Sequence, residues 1–136
     1  MLGKFILWLS AIIFTLYGLF CLISPELAAS NAGLEFINGD AKPEIGSMYG
    51  GLQTAFGIYC LLGALKSTYY RPALTLLMLC IGALALARCF WAFNADSELS
   101  AYTYGAIAYE YFTAILAAWA LLRANGDTSA VAGQTG

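Results

Sequence analysis

The sequence predicts an all-α integral membrane protein, a bundle of four transmembrane helices. Three observations carry that prediction. Apolar residues make up 61% of the 136 residues and charged residues only 10%, against roughly 45–50% and about 25% in soluble proteins. The mean hydropathy is +0.74, which implies more apolar surface than so small a chain can hide in its own interior. The apolar residues also gather into four stretches, each close to the ~20 residues that cross a bilayer as a helix. Lipid satisfies no backbone hydrogen bonds, and four segments are too few for a barrel, so each stretch must be helical.

The first stretch runs from about Phe5 to Ile23. Lys4 before an apolar run is how a signal peptide opens, but this run is about twice the usual signal length and no small-residue cleavage site follows it. It reads as a retained helix. Ser24-Pro25-Glu26 opens a short helix, with Ser24 as N-cap, Pro25 at the first position and Glu26 near the positive end of the dipole. Gly33 ends it, and Leu27, Ala28 and Leu34 lay it along the outer interface. Asn38-Gly39-Asp40 is a turn, and Pro43 reopens a helix. The second span runs from about Gly46 to Leu65, the third from about Pro72 to Phe93 and the fourth from about Tyr102 to Leu122. Residues 1–123 thus form one transmembrane domain, and residues 124–136, rich in Gly, Ser and Thr, a disordered polar tail.

Lys4, Lys66, Arg71 and Arg123 fall on one side of the spans and Lys42 alone on the other. The positive-inside rule therefore places both termini in the cytoplasm. Tyr69 and Tyr70 mark the inner boundary, and Trp91, Phe93, Tyr102 and Tyr104 the outer one, as an aromatic belt does. The net charge of −2 and the scattered basic residues argue against nucleic-acid binding. The chain has no histidine, which removes His-based acid–base catalysis and most zinc, copper and haem sites. No cofactor or metal is expected. No phosphate loop, serine elbow or thiol pair is present either, and the sequence favours a non-enzymatic protein.

Arg88 and Glu110 are the residues most open to chemistry. Arg88 lies about five residues inside the outer end of the third span, and Glu110 about eight inside the outer end of the fourth, or roughly 8 and 12 Å. Either charge alone would cost roughly 2.5–3.5 kcal/mol near the membrane centre, and a guanidinium–carboxylate fork relieves much of that. Thr103, Ala106, Glu110, Thr113, Ala114 and Ala117 share one helix face, as do Ile81, Ala85 and Arg88. Two readings stay open: an ion pair that locks two helices, or, with nearby tyrosines such as Tyr109, a polar pocket that takes a small anionic or polar ligand through Arg88. Tyr49 and Gln53 offer polar groups from the second span. Glu44 is either a further member of that site or a first-turn carboxylate favourable to the dipole.

Gly46 and Gly50 form a Gly-xxx-Gly pair beside Gly51, and Gly57 extends the small stripe, which permits close packing within the chain or in a dimer. The four cysteines, Cys21, Cys60, Cys80 and Cys89, read mainly as apolar thiols; Cys21 and Cys89 both lie near the outer face, where a bridge is conceivable.

With these residues in view, a resemblance emerges. Glu44, then Tyr49-Gly50-Gly51-Leu52, Arg88 in a small-residue third helix and Glu110 in the fourth resemble a bacterial family of small four-helix membrane proteins catalogued as a domain of unknown function. That family is similar in organisation to the DoxX-like proteins. The likeness covers roughly the first 123 residues; the family pattern often has Arg two residues after the first Glu, where this chain has Gly46. The resemblance implies a multi-pass protein of the bacterial inner (plasma) membrane and supplies no reaction. The favoured function is an accessory or assembly subunit whose partners are the lipid bilayer and a larger membrane protein or a homo-oligomer. The alternative is a carrier or channel for a small anionic or lipophilic solute.

Overall fold

The protein is seen as a computed structural model that describes residues 1–132, with side chains described for residues 1–124. Every regular element among the described residues is helical. In order they are α1 (Leu2–Ile23), α2 (Pro25–Asn31), α3 (Ala41–Ile45), a π-helical turn at Gly46–Gly51, α4 (Leu52–Leu65), α5 (Ser67–Leu76), a second π-helical turn at Leu77–Ile81, α6 (Gly82–Phe93) and α7 (Ala101–Ala132). Among the described residues, four continuous helices are long and apolar enough to cross a membrane: Leu2–Ile23, Ala41–Leu65, Ser67–Phe93 and Ala101–Ala124. Of the apolar 18-residue stretch in each, only 22–39% is buried within the molecule, so most of it faces outward, as lipid-exposed helices require.

Three boundaries differ from the sequence expectation. The second span begins at Ala41, not Gly46, because Pro43 falls in the first turn, where its missing N–H leaves no bond unmade. The third begins at Ser67, not Pro72; Pro72 withholds a bond only from the carbonyl of Thr68, an exposed residue at the helix start. The backbone of α7 continues to Ala132. Of the polar tail expected over residues 124–136, the side chains after Ala124 lie outside the described residues.

The chain divides into two compact units. In the unit Trp8–Leu61, α1 and the second span approach through small residues. A Cβ added to Gly18 would strike Thr54 and the Gly50 carbonyl, one on Gly50 would strike Leu22, and one on Gly57 would strike Thr15 and the Ala11 carbonyl. Ala11, Thr15, Gly18 and Leu22 are a single stripe of α1 at helical spacing, and Phe14 meets Phe56 edge to face at 6.4 Å. Ser24 occupies the N-cap of α2, yet its hydroxyl makes no cap hydrogen bond; Pro25 at the first position already removes one N–H that would need it. At the other end Gly33 adopts φ +73°, the Leu34 N–H donates to the Ala29 carbonyl at 2.9 Å and the Gly33 N–H to that of Ser30 at 3.0 Å. That is a Schellman cap. The Asp40 N–H then donates to the Asn38 side chain at 3.1 Å, closing the turn before α3, and Lys42 pairs with Glu26 at 2.6 Å.

The second unit joins Met1–Leu7 to the chain from Leu62 onward. Here the third span and α7 form an antiparallel hairpin. Ala73, Leu74, Leu77, Ile81 and Ala85 are buried on one side, and Glu110, Thr113, Ala117 and Ala120 on the other. Gly82 faces Ala114, a pairing of small residues that lets the backbones come close in lipid. Asn94 closes α6 by donating its side-chain amide to the Phe90 carbonyl at 2.7 Å, satisfying one of the carbonyls a helix end leaves open.

Candidate functional site: an intramembrane ion pair

Within that hairpin the buried stripe of the third span continues from Ala85 to Arg88, and that of α7 starts at Glu110, one turn before Thr113. Helical spacing therefore points both charges into the seam between α6 and α7. The Arg88 Nε donates to both carboxylate oxygens of Glu110 at 3.0 Å, and Nη2 donates to Oε1 at 2.8 Å. Glu110 is enclosed, with 6% of its side chain exposed, whereas Arg88 keeps 26%. Two-point contact fixes the planar guanidinium against the carboxylate and is stronger than a single neutral hydrogen bond. The arrangement neutralises two charges inside candidate membrane spans at once.

The surroundings of the pair are polar as well. Thr113 is fully buried one turn from Glu110, and its hydroxyl has no hydrogen-bond partner among the described residues. Cys89 and Tyr111, each the residue after a member of the ion pair, also neighbour each other across the seam between α6 and α7. The adjacency of Cys89 to Arg88 and of Tyr111 to Glu110 was the available signal. Tyr109 is half-buried beside Glu110.

The remaining expected site residues belong to the unit Trp8–Leu61. Glu44 is exposed, and its carbonyl accepts the Ser47 hydroxyl at 3.1 Å. Tyr49 is exposed on the π-helical turn and Gln53 is half-buried one turn on. Gly50 and Gly57 make the close approaches to α1 described above, but Gly46 has open space around it and Gly51 meets only a carbonyl of its own turn at 3.9 Å. Within this unit the close approaches to α1 therefore fall at Gly50, against Gly18 and Leu22, and at Gly57, against Ala11 and Thr15, and not at Gly46. The reason is length: Gly50 already opposes Leu22, and α1 ends at Ile23, so no residue of α1 remains for Gly46 to meet. All four cysteines are free thiols. Among the described residues no three His, Cys, Asp or Glu side chains gather as metal ligands.

Fold and site together define a small, multi-pass α-helical membrane protein with a buried Arg–Glu ion pair. The chain belongs to the family described as Domain of unknown function (DUF4345), whose family model matches residues 2–121. No curated protein and no solved structure matches it.

Proposed function

We propose that the protein is a non-enzymatic accessory or assembly subunit of the bacterial inner membrane, with both termini in the cytoplasm and α2 lying along the outer interface. The carrying observation is the fork itself. Both oxygens of Glu110 are engaged by Arg88, so the carboxylate acts as the fixed half of a lock between α6 and α7. Chemistry on a substrate would need that carboxylate available, and a lock does not. The outward apolar faces of the four spans remain for lipid and for a partner helix, and an organisation like that of the DoxX-like proteins fits an inner-membrane helper. The test is purification of the tagged full-length chain in mild detergent followed by mass spectrometry. Stoichiometric recovery of one larger membrane protein supports the reading; recovery of this chain alone or as a homo-oligomer overturns the helper role.

One observation favours a second reading, carriage of a small anionic or lipophilic solute: Arg88 keeps 26% of its side chain exposed while its partner is enclosed, leaving a cationic edge that an anion can approach. Exchanging the charges, Arg88→Glu with Glu110→Arg, separates the two. A lock survives the exchange in part, whereas an anion site loses its cation in the right place.

A further inference from the structure

Lys4, Lys66 and Arg71 converge on one cavity of about 510 Å³ within the unit formed by Met1–Leu7 and the chain from Leu62 onward. Lys4 comes from the first turn of α1, Gly63 from the end of α4, and Lys66, Ser67, Tyr70 and Arg71 from the start of α5. The volume lies in the range of small-ligand sites, about 300–1,000 Å³. No carboxylate is among the described residues that line it. Three cationic side chains thus line one shared space.

Independent features of the backbone point the same way. α5 opens at this cavity with Lys66 as an extended N-cap (φ −119°, ψ 126°), without a side-chain cap hydrogen bond and without an acidic residue in its first turn. The positive end of the helix dipole at this cavity favours a bound anion. The wall is shaped to hold a hydroxyl here as well. A Cβ on Gly3 would collide with the Tyr70 hydroxyl, so glycine at this position lets Tyr70 lie against α1 at the rim. Ammonium, guanidinium, hydroxyl and helix N–H groups together are the donor set that phosphate oxygens use.

We propose that this cavity binds a phosphate-bearing anion, either the headgroup of an acidic phospholipid or a free phosphate. Its place suits the lipid source: it lies where the spans Leu2–Ile23 and Ser67–Phe93 begin and Ala41–Leu65 ends, and basic pockets between helices at that level bind phosphate headgroups. The site stands apart from the Arg88–Glu110 pair and does not depend on what the protein assembles with.

The test uses the full-length chain in detergent, with native mass spectrometry against phosphatidylglycerol or phosphatidylcholine and calorimetry against inorganic phosphate. Phosphatidylglycerol should be retained at one per chain, about tenfold in preference to phosphatidylcholine. Lys66→Gln and Arg71→Gln should each weaken binding about fivefold, the equivalent of about 1 kcal/mol per cation, while Lys66→Arg and Arg71→Lys retain it. The charge-conserving pair guards against variants that simply fail to fold. Phosphatidylglycerol binding without inorganic phosphate binding assigns a lipid headgroup; inorganic phosphate binding that the same substitutions weaken assigns a soluble phosphate. Equal retention of both lipids without phosphate binding, or binding that neither Gln variant changes, would overturn the proposal.

Discussion

Arg88 and Glu110 stand 22 residues apart in the chain and share three hydrogen bonds, but they are unequally enclosed: 26% of the arginine side chain is exposed and 6% of the glutamate. The inequality decides which half of the pair is costlier to remove. Arg88→Ala strands an enclosed carboxylate, a loss of about 3–5 kcal/mol for a broken buried pair. Glu110→Ala leaves a long cationic side chain that can swing its head toward the interface, so its cost should be nearer the about 1–3 kcal/mol of an unmade hydrogen-bonding group. Arg88→Lys should fall below Arg88→Ala in cost, since it keeps the charge and gives up the fork. Reversible unfolding of the purified variants in one detergent measures the order; equal losses for the two alanine variants would contradict the unequal enclosure.

The glycines of the second span should separate cleanly. Gly57→Val and Gly50→Val press side chains into Thr15 and Leu22 of α1, and overpacking of this kind costs about 1–3 kcal/mol. Gly46→Ala meets nothing and sits at φ −61°, a conformation alanine adopts freely. It should stabilise by about 0.4–1 kcal/mol through the unfolded chain. Thermal unfolding of the three variants side by side checks the contrast, and destabilisation by Gly46→Ala would mean that this position carries a contact after all.

Hydropathy made the four spans legible, because a lipid-facing helix must be apolar over its whole crossing and no other element of this chain has that length. It also placed Arg88 and Glu110 together: two opposite charges at similar depth on neighbouring spans have few other partners. Span starts were harder to read. Pro72 suits the first residue of a helix, yet a proline inside the second turn costs only one bond near an exposed end. The π-helical turns at Gly46–Gly51 and Leu77–Ile81 have no compositional marker, since they change the winding of the backbone and not its polarity. The Gly46–Gly50 spacing was equally silent about where α1 stops, and that alone decides which glycine is covered. The spacing did put Thr113 on the face of Glu110, but the Cys89–Tyr111 contact depends on side-chain directions that spacing gives only coarsely.

Gly33 tests the outer loop. Its φ of +73° lies in the region where a Cβ crowds the following carbonyl, at a cost of roughly 1–2 kcal/mol for other residues. Open space surrounds the position, so Gly33→Ala isolates this backbone term from any clash. The variant should fray the end of α2, seen as faster hydrogen exchange at the Gly33-equivalent and Leu34 amides, which donate to Ser30 and Ala29. Unchanged exchange at both amides would mean that the cap does not hold α2 in place.

The Glu26–Lys42 contact ties α2 to the start of the second span and should respond to pH. A hydrogen bond from Lys42 is the main cause that holds the Glu26 carboxyl below its ordinary range, with a backbone hydrogen bond and the lysine charge acting in the same direction. A folded pKa below the unfolded one means that the contact favours the folded state above the unfolded pKa, and that this contribution fades as pH falls through the folded value. Both side chains are more than half exposed, so the effect should be local and global stability should hardly move. Following the Glu26 carboxyl carbon by NMR between pH 7 and pH 2 reads it directly. The midpoint should rise toward the ordinary glutamate value in Lys42→Gln, and salt at about 1 M, where charges more than about 3 Å apart are screened, should remove part of the difference. Identical midpoints in the two proteins would mean that Lys42 does not hold Glu26 in solution.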